Sequence, residues 1–244
     1  MSERGDLQVC ADSADLAQAL ANLIVTAANT AVDERGAFHI VLSGGNTPTA
    51  AYELLAGNVL RAAVPWEKVS VYFGDERCVP PDDERSNYRM ATRAFLDAVP
   101  VPRGNIHRIR GEIDPGQAAN EYASTLRANF GSAPQFDLVL LGLGEDGHTA
   151  SLFPGSDPDL DDGALVRAVY AQAQDMWRVT ITPAVINGAR RVAFAVEGTD
   201  KAPALAAVYA GPRDPIAYPA QIVSPTSGAL TWLVDEAAAS MLHI

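Results

Sequence analysis

The segment Asp137-Leu-Val-Leu-Leu-Gly-Leu-Gly-Glu-Asp-Gly-His148 constrains the fold more than any other part of the chain. Leu138 to Leu141 is an unbroken apolar run behind an acid, which predicts a strand buried on both faces. The run breaks into a glycine-rich turn that delivers Asp146 and His148 at what reads as a helix start. Pro154-Gly155 then ends that helix after about two turns. Strand, glycine turn and helix N-terminus together make an anion site, because free N–H groups and the positive end of the dipole point outward. A histidine and a carboxylate placed there predict chemistry on an anionic substrate. The helix terminus is expected to lower the pKa of His148 and keep the imidazole neutral, as a general base requires.

Gly142-Leu-Gly-Glu-Asp-Gly147 also fits G-x-G-x-x-G, the dinucleotide fingerprint. Its context argues against nicotinamide binding. The expected helix is too short to cross back over a sheet, and Ser156-Asp-Pro-Asp-Leu-Asp-Asp162 reads as loop, not as a second strand.

Around this segment the pattern alternates. An alanine-rich helix is predicted from Ser13, as cap, to about Ala31. Strands are predicted at Phe38–Leu42, Val69–Phe73, 138–142, Arg178–Thr182, Val192–Val196 and Leu230–Val234. Helices are predicted from Pro48 through about Leu55, at Ser86–Ala98 and Gln117–Phe130, and from about Asp200 to Ala210. Such alternation implies an α/β domain spanning 1–244, with a mostly parallel sheet covered by helices on both faces. The stretches 80–85, 154–163 and 211–219, rich in Pro, Gly and Asp, read as its loops. Ligands of such sheets bind beyond the carboxyl ends of the strands, where 43–48, 74–77 and 142–148 all fall.

Composition narrows the partners. Net charge is −12, with 18 Lys and Arg against 30 Asp and Glu, which disfavours nucleic acid and anionic membrane. No apolar run approaches the ~20 residues of a membrane span. The Met-Ser-Glu-Arg-Gly-Asp start lacks the order of a signal peptide. Cys10 and Cys78 suggest neither a disulfide framework nor a thiolate metal site. The expectation is a cytoplasmic protein, monomeric or weakly self-associating.

Ser43-Gly44-Gly45-Asn46-Thr47-Pro48 reads as a phosphate-cradling turn with Thr47 as cap, or as an ordinary strand-to-helix turn. Arg77, in Gly74-Asp-Glu-Arg77, suits phosphate oxygens through its planar fork. Asp75 is read as holding sugar hydroxyls or orienting a catalytic group, and Glu76 as pointing away. Lys201 opposes the dipole of a helix start, a small cost that an anion offsets; a plain surface lysine fits the same residues. Arg178 is a weaker candidate. His39, His107 and His243 read as structural. No G-x-S-x-G elbow and no H-E-x-x-H zinc spacing occurs. Asp157–Asp161 resembles a calcium loop but lacks its glycine and final glutamate.

Taken together, Ser43–Pro48, Gly74–Arg77, Ser86-Asn-Tyr-Arg89, Gly142–Gly155, Arg178–Thr182 and Gly198–Ala202 make the chain resemble the 6-phosphogluconolactonase family. That resemblance implies a modified Rossmann-like, doubly wound fold. It also implies a metal-free and cofactor-free hydrolase of a phosphorylated sugar lactone. On that reading Ser43, Gly44, Gly45, Asn46, Thr47, Arg77, Arg178 and Lys201 bind substrate. His148 is the base, with Asp75 and Asp146 assisting. Backbone N–H groups at Gly147-His148 meet the oxyanion. The related glucosamine-6-phosphate deaminases continue the Asp-Gly-His motif into Asn-Glu-Pro-Gly. Here Phe153 stands at the glutamate position, and phenylalanine relays no proton. A non-catalytic sugar-phosphate sensor would use the same pocket without a base.

Overall fold

The computed structural model describes residues 4–155 and 163–243. Its strands are β1 (Asp6–Cys10), β2 (Phe38–Leu42), β3 (Val69–Phe73), β4 (Asp75–Arg77), β5 (Leu138–Leu141), β6 (Val166–Ala171), β7 (Met176–Ile181), β8 (Arg191–Val196) and β9 (Ala229–Asp235). Six of them form one sheet in the order β1-β9-β8-β5-β2-β3. Every pairing in it is parallel. β5 is buried at all of its positions, and β2, β3 and β8 at all but one, so both faces of the sheet are covered. The expected parallel α/β architecture is therefore present.

The helices are α1 (Ser13–Arg35), α2 (Asn46–Ala56), α3 (Asn58–Ala62), α4 (Asn87–Ala91), α5 (Pro115–Phe130), α6 (Pro183–Asn187), α7 (Ala202–Leu205) and α8 (Glu236–Ala239). α4 and α7 each run on through one π-helical turn, to Leu96 and Ala210. α1 buries Leu16, Leu20, Ile24, Ala28 and Ala31, a stripe at helical spacing. Its cap is Asp12, not Ser13: the Asp12 carboxylate accepts from Ala14 and Asp15 N–H, both at 2.9 Å. The helix also runs past Ala31 to Arg35, where left-handed Gly36 ends it. Among the described residues no helix is long and apolar enough to cross a membrane.

Three further features depart from the sequence reading. Residues 178–182 do not join the main sheet: β7 is the middle strand of a separate antiparallel sheet, β4-β7-β6. The charged stretch after β3 is its short edge strand β4, and β1 and β6 lie outside the strands expected from the sequence. No helix follows His148; residues 145–147 turn, and Thr149 and Leu152 form an isolated bridge. The calcium-like stretch Asp157–Asp161 and most of the 154–163 loop lie outside the described residues.

Two buried tyrosines close the strand ends that lead to the site. Tyr52 of α2 accepts from Ser43 N–H (3.2 Å) and donates to Ser43 O (3.1 Å). Tyr122 of α5 does the same to Phe73, at 2.8 and 3.0 Å. Each hydroxyl satisfies a backbone donor and acceptor just where the ladder stops.

At the opposite side of β3, Tyr72 stacks on His107 at 4.5 Å, and His39 meets the edge of Phe130 at 5.0 Å. Burial pushes both imidazoles below the ordinary value of 6.5. Their folded-state pKa is the lower one, so their contribution to stability is complete above pH 6.5 and is lost as pH falls below it. The urea midpoint is expected to drop from pH 7 to pH 5, and His107→Phe, which keeps the stack, should flatten that slope. An unchanged slope would show that His107 is not held neutral.

Candidate functional site

The sheet reverses its winding between β2 and β5. From β2 the chain moves outward to β3, whereas from β5 it moves the other way through β8 to β9. Connections leaving such a pair diverge and open a crevice beyond the carboxyl ends. A cavity of about 480 Å³ lies there. Loops after β2, β5 and β8 line it, and the antiparallel sheet adds Asp75, Arg77 and Arg178. Every candidate residue from the sequence except Asp146 and Gly147 is on this wall, and those two flank His148 on its turn.

His148 Nδ1 lies 2.5 Å from Asp146 Oδ1, which also accepts the His148 backbone N–H at 3.1 Å. Burial pushes the Asp146 carboxyl up, but the hydrogen bonds from His148 outweigh it and leave the acid below its ordinary value. An ionised Asp146 keeps the proton on Nδ1 and the lone pair on Nε2. The helix dipole expected to act on His148 is absent, because no helix starts there; Asp146 does the orienting. Gly144 is required by this pair: a Cβ there would sit 2.0 Å from His148 Nδ1 and 2.7 Å from Asp146 Oδ1.

The oxyanion assignment at this turn does not hold. Gly147 N–H donates to Gly144 O at 3.0 Å, and His148 N–H is taken by Asp146. Both donors are already engaged.

The loop after β2 departs from expectation in its cap. α2 starts at Asn46, one turn-defining residue after Gly45, whose φ of +108° suits only glycine. Thr47 therefore sits inside the first turn, and no side chain caps it. The first N–H groups of an uncapped helix have no internal partner. Ser43 through Thr47 line the cavity, so these donors and the positive dipole end stand at its wall.

Antiparallel pairing of β4 with β7 sets Arg77 opposite Arg178. Both guanidinium groups have a buried Nε with no hydrogen-bond partner. Arg77 NH1 donates to Arg85 O (2.8 Å) and Asn87 Oδ1 (2.6 Å). Arg178 packs its guanidinium over Phe153 at 5.6 Å, and Phe153 in turn lies 4.9 Å from the His148 ring. Burial, reinforced by Arg77, lowers the Arg178 pKa against the opposing pull of Asp75.

Asp75 is held by protein. Its Oδ2 accepts from Ser151 Oγ at 2.6 Å and lies 3.6 Å from Arg178 NH1. Its Oδ1 accepts from Asn87 Nδ2 at 3.0 Å. One buried carboxylate thus ties α4, β7 and the His148 turn together. Glu76 does not point away: it is buried and accepts from Asn87 N–H (2.7 Å), Tyr88 N–H (2.8 Å) and Ser86 Oγ (3.0 Å). Burial pushes its carboxyl up despite those donors. It caps the start of α4 from a neighbouring strand, which no local spacing rule anticipates. Asn87 and Ser151 lie inside the motifs Ser86–Arg89 and Gly142–Gly155 but had no role assigned to them; the local turn chemistry marks Ser86, which caps α4 by accepting from Arg89 N–H.

Lys201 stands in a single 3-10 turn before α7. Its Nζ lies 3.1 Å from Asp200 Oδ2 and 3.3 Å from Glu145 Oε1. Gly198 ahead of it has φ +95° and donates to the Asp235 carboxylate at 3.1 Å. Among the described residues no three His, Cys, Asp or Glu side chains converge as a metal-ligand set.

The family described as glucosamine-6-phosphate isomerases/6-phosphogluconolactonase matches residues 11–232. A 6-phosphogluconolactonase of Synechocystis is 45% identical over 225 residues, covering 90% of this chain and 91% of its own. The structure of 6-phosphogluconolactonase from Trypanosoma cruzi superposes with a TM-score of 0.88 at 30% identity, covering 100% of this chain and 99% of that one. A monomeric glucosamine-6-phosphate deaminase shares the fold, with a TM-score of 0.84 at 19% identity, over 97% of this chain and 99% of its own.

Removing the charge from Asp75 leaves Arg178 buried without its counter-ion. Asp75→Asn is expected to destabilise the fold by about 3 kcal/mol, whereas exposed pairs are worth about 0–1 kcal/mol. Urea unfolding measures it; a loss under about 0.5 kcal/mol would remove Asp75 from its structural role.

Proposed function

The chain belongs to the glucosamine-6-phosphate isomerase/6-phosphogluconolactonase family, and on that premise we propose that it hydrolyses 6-phosphogluconolactone to 6-phosphogluconate, with His148 as general base. The observation that carries this reading is the His148–Asp146 pair. The His148 Nδ1 is held 2.5 Å from the Asp146 carboxylate, which leaves Nε2 free of that contact, and His148 lines a cavity that collects three cations in a chain of net charge −12. The close relative named a 6-phosphogluconolactonase supports the choice of substrate.

The phosphate docks on Arg77, Lys201 and the uncapped N–H groups of the Gly45–Asn46 turn, with Thr47 adding a hydroxyl. Docking places the lactone carbonyl beside His148. Nε2 takes a proton from water as the water oxygen bonds to the carbonyl carbon. When the tetrahedral intermediate collapses, the bond from that carbon to the ring oxygen breaks. The imidazolium returns its proton to the ring oxygen, which leaves as a hydroxyl, and the new acid ionises. Asp146 stabilises the transient imidazolium. Asp75 acts through Ser151, Asn87 and Arg178 and does not need to reach the sugar. Phe153 packs on His148 where a deaminase needs a proton relay, which favours hydrolysis over deamination.

The deciding measurement is hydrolysis of freshly generated 6-phosphogluconolactone, corrected for the spontaneous rate. His148→Ala should lose about 10² to 10⁴-fold in kcat. Wild-type protein that accelerates nothing here but deaminates glucosamine-6-phosphate would overturn the reading. Arg77→Ala should raise KM about tenfold or more with kcat little changed, as loss of a charge-assisted contact made equally in ground and transition states. A defect confined to kcat would exclude phosphate docking on Arg77.

A further inference from the structure

We propose that Asn87 is a positioning residue for phosphate recognition: its side-chain amide fixes which edge of the Arg77 guanidinium faces the cavity. This inference rests on the hydrolase reading of the site.

Asn87 is 2% exposed, and each polar atom of its side chain is used. Nδ2 donates to Asp75 O at 2.9 Å and to Asp75 Oδ1 at 3.0 Å. Oδ1 accepts from Arg77 NH1 at 2.6 Å. A flipped amide would aim N–H at N–H on one side and oxygen at a carboxylate on the other, so the orientation is forced by its neighbours. The backbone is pinned as well, because Asn87 N–H donates to buried Glu76 at 2.7 Å.

The consequence falls on Arg77. Its NH1 is occupied twice, by Asn87 Oδ1 and by Arg85 O. Its Nε is buried with no partner. The guanidinium is planar and cannot turn one nitrogen without the others. Holding NH1 therefore leaves NH2, beside the buried and unpartnered Nε, as the donor that a phosphate can reach. The same amide oxygen would lie 2.0 Å from a Cβ on residue 44, so Asn87 also explains why the first loop has glycine there. One side chain thus sets the distance between the glycine loop and the arginine.

A merely structural amide would affect all substrates together, and the test separates the two cases. Asn87→Ala is expected to raise KM for 6-phosphogluconolactone about tenfold or more. kcat/KM for glucono-1,5-lactone, which has no phosphate, should change less than about threefold. In the Arg77→Ala background, Asn87→Ala should add less than about twofold, because its effect runs through that arginine. Equal losses for both lactones, or additive losses with Arg77→Ala, would overturn the proposal. Calorimetric binding of 6-phosphogluconate gives a readout independent of turnover, with about tenfold weaker binding expected in Asn87→Ala. If wild type accelerates neither lactone the hydrolase reading falls, and this binding arm alone decides: full affinity in Asn87→Ala overturns the role of Asn87. Asn87→Leu, which keeps the volume but removes the Oδ1 acceptor for Arg77 NH1, provides the same comparison should the alanine variant not fold.

Discussion

Buried Asp137 holds the strand on which the site is built. Its carboxylate accepts the His39 backbone N–H at 2.8 Å and Arg35 Nε at 3.0 Å, and Arg190 Nε lies 3.6 Å away. These partners come from β2, the end of α1 and the entry to β8, the elements on either side of β5. A strand buried on both faces can meet polar partners only at its ends, so this clamp fixes the register of β5 from below. With that end fixed, Leu141 must deliver Gly142 to the point where the sheet reverses. The position of His148 follows from a contact at the far end of the same strand.

At the upper end the electrostatic problem is reversed. The chain is strongly acidic, yet Arg77, Arg178 and Lys201 line one cavity. Long-range attraction contributes little to a phosphorylated ligand here; field inside the crevice does, where charges are poorly screened. Setting a buried and a half-buried arginine side by side is tolerable only with compensation. Asp75 supplies part of it, and a bound phosphate dianion would supply the rest. The unpartnered Nε atoms of both arginines are the visible remainder of that deficit.

Close approach rather than flexibility explains the glycines of the two central loops. Gly44 makes room for Asn87 and Gly144 for the His148–Asp146 pair. These contacts lie between residues 43 and 4 positions apart in sequence, so a local rule recognises the second and not the first. The same holds for caps. Asp12 caps α1 from the adjoining residue, whereas Glu76 caps α4 across a loop.

Some of this was determined by sequence alone. Runs such as Leu138–Leu141 and Val192–Val196 specify buried parallel strands by burial of both faces. The Gly-Gly and Gly-Leu-Gly turns specify where the backbone must leave them. His148, Asp146, Arg77 and Lys201 were legible because their residue types at strand ends match an anionic substrate. Tertiary structure decided the rest. Whether His148 opened a helix depended on a bridge between Thr149 and Leu152 and not on the glycines before it. Arg178 gained its place only when β7 paired with β4 and set it opposite Arg77. Asn87 and Ser151 became part of the site because folding placed each within hydrogen-bond reach of β4, and Glu76, on β4 itself, because folding brought the start of α4 to it. Their partners lie 10 to 76 residues away in the chain, and periodicity and local turn chemistry carry no information over such separations.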